Sequence, residues 1–263
     1  MAILRTGDVA LYYEVHGDGP AILGIHGTPS STLLWADAAG RLSAAGRCVI
    51  YDRRGFGRSS PPGRAVHLAD HVADAVAMLD HVTGVPAVVI GRSTGGLIAL
   101  ALALQHQERI RALVLLEPAV FVLDEDASSW ATGVRAAVLS ADPARASEAV
   151  FRAALGDAFW EGLPPEIAGH LAAASPAVLA ETLGDDLDLS AHPFHPSTDD
   201  VRALRRPTLL VSAEDSPAPL SRVNDHLAGM LPEASLVVVP GGHLIDPAGP
   251  PVLDFIRGLA PVA

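Results

Sequence analysis

The chain has 263 residues, 49% of them apolar and 18% charged, with 18 Lys and Arg against 30 Asp and Glu and a formal net charge of −12. That composition excludes a disordered chain, and a chain of this length, one to two domains, buries about 70–75% of its unfolded surface without staples. The acidic balance argues against nucleic acid or an anionic membrane surface as partner and favours a soluble protein.

Ile3–Arg5 and Val9–Val15 are β-prone and flank the turn Thr6-Gly7-Asp8, which predicts a hairpin, closed off by Gly17-Asp18-Gly19-Pro20. Apolar runs and helical patterns then alternate. Ala21–Ile25 reads as a strand, 32–45 as a helix and Arg47–Tyr51 as a strand. Between His67 and Val82 apolar residues recur at helical spacing, at Leu68, Val72, Val76 and Leu79. Ala87–Ile90 is short, apolar and β-branched, Gly95–His106 is a helix rich in Ala and Leu, and Ala112–Leu116 is the next strand. This βαβαβ rhythm predicts an α/β protein with a mostly parallel sheet covered by helices on both faces.

The rhythm stops after Glu117-Pro118. Residues 119–204 are alanine-rich, broken by Pro143, Pro164-Pro165, Pro176 and Pro193, with no buried-strand pattern. A structureless loop of that length does not suit a compact domain, so a helical insertion is expected there. The rhythm resumes with Thr208–Ser212 as a strand, Leu220–Leu231 as a helix, Ser235–Val239 as a strand and Val252–Leu259 as a closing helix. Residues 1–118 and 205–263 are thus expected to form the core and 119–204 the insertion.

The apolar stretch Leu97–Leu104 is far shorter than the ~20 residues that span a bilayer. The opening residues MAILRTGD carry no secretion signal, and the single cysteine, Cys48, allows neither an internal disulfide nor a cysteine metal cluster. A cytoplasmic protein is expected, with a homodimer allowed.

Chemistry concentrates in three motifs. Gly91-Arg92-Ser93-Thr94-Gly95-Gly96 stands between a strand and a helix, the context that a G-x-S-x-G nucleophile elbow requires. The serine sits on a strained turn, and side chains two positions to either side would collide, hence Gly91 and Gly95. His26-Gly27-Thr28-Pro29 follows the strand AILGI. Its loop frees backbone N–H groups, so the amides of Thr28 and Thr94 are expected to form an oxyanion hole, each donor worth ~10²–10³ in rate. His26 itself is expected to be structural. Gly241-Gly242-His243 follows the strand SLVVV. A serine hydroxyl needs a base, and in a parallel sheet His243 opens on the same edge as Ser93. His67 and His71 stand four apart on a helix but lack a third metal ligand, and His192 and His195 flank a proline loop; both pairs are expected to be surface or capping residues.

With these motifs, and with Tyr51-Asp52-Arg53-Arg54-Gly55-Phe56-Gly57-Arg58-Ser59 between the first two, the chain resembles the α/β-hydrolase superfamily over nearly its whole length. The resemblance implies the α/β-hydrolase fold: an eight-stranded sheet, a helical cap after the sixth strand, a structural turn at D-x-R-G-x-G-x-S, and a triad in the order serine, acid, histidine. Most relatives carry the acid beyond the seventh strand. Here that slot falls on Ser216, with Asp215 one residue early. Some relatives place it after the sixth strand, which is Glu117 here. Fungal zearalenone-type lactonases resemble this chain in length and in that strand-Glu-x-Pro-like arrangement, and some haloalkane dehalogenases use that glutamate too. Glu117 is the preferred acid and Asp215 the alternative. Arg92 departs from the family, where His, Gln or Asn is commoner.

A serine nucleophile, histidine base and oxyanion donors imply acyl transfer. The expected reaction is hydrolysis of a carboxylic ester or lactone of an apolar small molecule through an acyl-enzyme, with no cofactor and no metal. Ser93 argues against epoxide hydrolases and haloalkane dehalogenases, which need an aspartate there. Trp130 and Trp160 of the cap, and Trp35 near HGTP, are expected to contact substrate. The competing readings are a non-hydrolytic cyclase, lyase or cofactor-free perhydrolase on the same triad, and a catalytically inactive binding protein of the same fold.

Overall fold

The computed structural model describes residues 2–83 and 86–259. The apolar runs assemble into one eight-stranded sheet, β1 (Ala2–Thr6), β2 (Val9–His16), β3 (Ala21–Ile25), β4 (Arg47–Tyr51), β5 (Ala87–Arg92), β6 (Ile110–Leu116), β7 (Thr208–Ala213) and β8 (Ala234–Val239). Their order is β1-β2-β4-β3-β5-β6-β7-β8. The hairpin β1–β2 and the β2–β4 pair are antiparallel, and every other pair is parallel. Every residue of β3 and β5 is buried, as strands covered on both faces require.

Side-chain alternation divides the core between the two faces. Val89, Leu113 and Leu115 pack with α2 (Leu68–Met78), α3 (Thr94–Gln105) and α10 (Ala218–Met230). Val88, Ile90, Val114 and Leu116 pack on the other face with α1 (Ala36–Leu42) and α11 (Pro250–Gly258). Residues Thr94 to Ala103 of α3 are buried all round, which is why that helix shows no polar stripe in its sequence.

Two predicted helices differ in detail. The one expected over 32–45 is split into a 3₁₀ turn, Thr32–Leu34, and α1. The Ser31 hydroxyl accepts from Leu33 N at 3.2 Å and Asp52 Oδ1 accepts from Thr32 N at 2.6 Å, so side chains take the amides that a continuous helix start would present. The helix after His67 widens into a π-helical turn over Leu79–Thr83.

Between β6 and β7 the chain is helical: α4 (Glu125–Ser140), α5 (Ala146–Leu155), α6 (Asp157–Glu161), α7 (Pro165–Ala172), α8 (Ser175–Thr182) and α9 (Thr198–Ala203). Asp124 caps α4 by accepting from Ala127 N at 2.8 Å, and Ser197 caps α9 by accepting from Asp200 N at 3.0 Å. Two of the prolines that break the sequence pattern sit in first turns, Pro165 in α7 and Pro176 in α8, where no amide is needed. Ala127, Val134, Val138 and Val150 join the core cluster on the α3 face. Among the described residues no helix is long and apolar enough to cross a membrane.

Candidate active site

Ser93 is the single residue between β5 and α3, with φ 55° and ψ −124°. A non-glycine residue there is strained and persists only where its surroundings over-determine it. They do. Ser93 N donates to Leu116 O at 3.0 Å, and Ser93 O accepts from the amides of Gly96 (2.8 Å), Leu97 (3.1 Å) and Ala119 (3.0 Å). The glycines permit this packing. A Cβ on Gly91 would strike the Gly95 carbonyl oxygen, and one on Gly95 would strike the carbonyl oxygen of Ile25.

Glu117 follows β6 at once and is also in the left-handed region, with φ 44°. It is fully buried, its amide donates to Val211 O at 3.1 Å, and its carboxylate is met from three sides. Oε1 accepts from Ala213 N at 2.9 Å, and Oε2 accepts from Ser216 Oγ at 2.8 Å and lies 2.7 Å from His243 Nδ1. A carboxylate so placed fixes the imidazole with its proton on Nδ1 and leaves Nε2 to accept one. Gly241, at φ +96°, turns the chain from β8 toward His243. Asp215, the alternative acid, is exposed, and its amide donates to Gly241 O at 2.9 Å. The structure does not bring it to His243; the neighbouring Ser216 takes that place as a hydroxyl on Glu117.

The HGTP loop lies against the elbow. A Cβ on Gly27 would come within 2.9 Å of Arg92 O and 3.1 Å of Ser93 Cβ. Thr94, as first residue of α3, has an amide that precedes the helix's repeating bonds, at the positive end of its dipole. His26 is structural as expected: Nε2 accepts from Arg53 N at 3.0 Å and Nδ1 donates to Gly27 O at 2.8 Å. Burial, then the Arg53 charge, hold its pKa well below the usual histidine value.

Thr28, Ser93 and His243 line one inner cavity of about 40 Å³, walled by apolar side chains that include Phe121, Trp130, Phe151 and Leu189. An outer cleft of about 500 Å³ shares Ala154, Leu155 and His243 with it and reaches Phe159 and Asp215. Of the three tryptophans expected at substrate, Trp130 is on the inner wall. Trp160 is not: it stacks behind Phe151, with ring centroids 5.8 Å apart. Trp35 is not either. It is 1% exposed, belongs to the core cluster on the opposite sheet face, and carries the Arg92 guanidinium 5.7 Å from its ring centroid. Arg92 also donates to Ile245 O at 3.2 Å, and burial lowers its pKa to about 10; it braces the loop beyond His243.

Two residues of this region carry no signal in the sequence, Glu181 and Asp188, and Ser216 shows there only as the slot where most relatives place the acid. Glu181 of α8 pairs with the fully buried Arg53 and stands 2.6 Å from His71 Nε2. Burial pushes its carboxyl up, but Arg53, His71 and Thr28 outweigh that and leave it at about 2. Asp188, between α8 and α9, lines the inner cavity, and burial followed by the Glu181 charge raises it to about 7. His71 is thus tied to Glu181, while His67 Nδ1 accepts from Asp185 N at 3.0 Å; among the described residues no group of three metal-ligating side chains exists.

Residues 20–148 match the model of the alpha/beta hydrolase fold. A putative carbamate hydrolase RutD from Variovorax paradoxus is 40% identical over 110 residues, which span 40% of this chain and 41% of that protein. A putative carbamate hydrolase RutD from Caulobacter sp. is 30% identical over 98% of this chain and 100% of its own length. Among solved structures, that of Est816, described as an N-acyl homoserine lactone degrading enzyme, superposes with a TM-score of 0.75 at 23% identity, over 98% of this chain and 100% of that one. With its match to the family model and a 30% identical relative matched from end to end, the chain belongs to the alpha/beta hydrolase family.

Proposed function

We propose that the chain is a serine hydrolase that cleaves a carboxylic ester or lactone of an apolar small molecule through an acyl-enzyme. The observation that carries this reading is that Ser93 and a His243 held by Glu117 line one cavity. Ser93 Oγ attacks the carbonyl carbon while its proton passes to His243 Nε2. The carbonyl electron pair moves to oxygen, where the amides of Thr28 and Thr94 receive it. Collapse breaks the bond to the leaving oxygen, which takes the proton from His243. Water then attacks the acyl carbon, gives a proton to His243, and releases the acid and Ser93.

The helices between β6 and β7 act as the cap, supplying the apolar wall through Trp130, Val134 and Phe151. The inner cavity has room for about three waters, so the acyl group is short, and the larger part of the substrate occupies the outer cleft. The carbamate and lactone chemistry in the relatives' names fits the same acyl transfer, since each breaks a bond at a carbonyl carbon. The test is turnover of p-nitrophenyl esters of short acids: wild type is expected to hydrolyse them and Ser93→Ala to lose at least about 10³ of that rate. Undiminished turnover in Ser93→Ala would refute the proposal.

A further inference from the structure

Thr28 and Thr94 are each tied by their hydroxyls to a carboxyl of the helical insertion. Thr28 Oγ1 donates to Glu181 Oε2 at 2.7 Å, and Thr94 Oγ1 donates to Asp188 Oδ2 at 3.1 Å. The two carboxyls differ in what else they meet. Glu181 is answered by Arg53 and His71. Asp188 forms no ion pair among the described residues, and it stands on the wall of the inner cavity with Ser93 and His243. Among the described residues it is, apart from His243, the only ionisable side chain on that wall.

A carboxyl in an apolar cavity is costly unless polar groups meet it, and the Thr94 hydroxyl and Asp188's own backbone N–H meet it in part. A donor on the substrate is able to supply a further bond there when water is excluded. Its side of the site follows from the same geometry. The leaving oxygen has to face His243, which protonates it. Asp188 is bonded instead to the residue after the nucleophile, so it faces the acyl part.

On the Ser93 reading above, we propose that Asp188 selects the acyl group, taking a hydrogen bond from a hydroxyl or N–H carried next to the scissile carbonyl. Short acyl groups with such a donor are then preferred over hydrocarbon groups of the same shape. Asp188 is a specificity residue, not a member of the triad. Around it stand Glu181, Arg53 beyond Thr28, and His243 across the cavity. Its raised pKa, near 7, does not alter the role, because neutral and ionised carboxyls both accept. A substrate carboxylate, by contrast, meets like charge and is disfavoured.

The test compares phenyl 2-hydroxypropanoate with phenyl 2-methylpropanoate, which differ by hydroxyl against methyl. Each kcat/KM is divided by that ester's hydroxide-catalysed rate. Wild type is expected to favour the hydroxy ester by more than about tenfold. Asp188→Ala should bring the ratio to within about twofold of unity, and Asp188→Asn, whose amide oxygen still accepts, should retain it. If Asp188→Ala fails to fold by circular dichroism, Asp188→Leu carries the same comparison. Absence of any preference in wild type, or an unchanged preference in the folded Ala or Leu variant, would overturn the proposal. Turnover of neither ester by wild type would overturn the Ser93 reading instead.

Discussion

Glu117 and His243 stand 126 positions apart in the chain and 2.7 Å apart in the fold. The sheet makes that possible. β6 and β7 are adjacent and parallel, β7 pairs with β8, and the ends of all three open on the edge where Ser93 lies. On this arrangement Glu117→Gln should lower kcat by about 10⁴, because an amide no longer enforces the Nδ1–H tautomer. Asp215→Asn should leave kcat within about twofold, since Asp215 is exposed and away from the imidazole. Steady-state kinetics of the two variants decide between the acids; a crippled Asp215→Asn beside an active Glu117→Gln would reverse the assignment.

Ser216 tests the support of that acid. Its hydroxyl is one of three groups on the Glu117 carboxylate. A hydrogen bond to a charged group contributes about 1.5–3 kcal/mol. Ser216→Ala should therefore reduce kcat by roughly tenfold, with KM little changed, because the bond orients the acid and does not touch substrate. A rise in KM at constant kcat would assign Ser216 to substrate binding.

The Arg53–Glu181 pair sets an acid limit on stability. Burial opposes ionisation of Glu181, but Arg53, His71 and Thr28 win and hold its carboxyl at about 2 against an ordinary 4.5. A depressed carboxyl contributes stability that is complete above the unfolded value and is lost as pH falls through the folded one, here from about 4.5 to about 2. Glu181→Gln leaves the buried Arg53 uncompensated, at a cost of about 3–5 kcal/mol near pH 7. Urea midpoints of wild type and variant should differ most at pH 7 and clearly less at pH 3, the gap closing only toward pH 2. A gap that is the same at both pH values would show that the pair does not carry the titration.

The chain's alternation of short apolar runs and helices was enough to place all eight strands, the parallel sheet and the helical stretch between β6 and β7. The elbow was equally legible, because its glycines are demanded by backbone contacts that no other residue survives. Glu117 was visible only as a carboxylate ending a strand; its positive φ has no signature in a non-glycine residue. Trp35 was misplaced because closeness to HGTP in sequence does not say which face of the sheet α1 covers. Trp160 was misplaced because α5 and α6 stack their aromatics on one another before they meet the cavity. Asp188 and Glu181 were hidden among 30 acidic residues. Only the packing of the insertion onto the HGTP loop and the elbow distinguishes them.

Acylation of the Ser93 hydroxyl underlies every step of the proposed reaction, and a fluorophosphonate probes it without a substrate, since it forms a stable adduct only with an activated serine. Intact-mass and peptide analysis should show one adduct, on Ser93, forming quickly in wild type and about 10³–10⁴-fold more slowly in His243→Ala. An adduct on another residue, or none on a folded protein, would show that Ser93 is not the nucleophile.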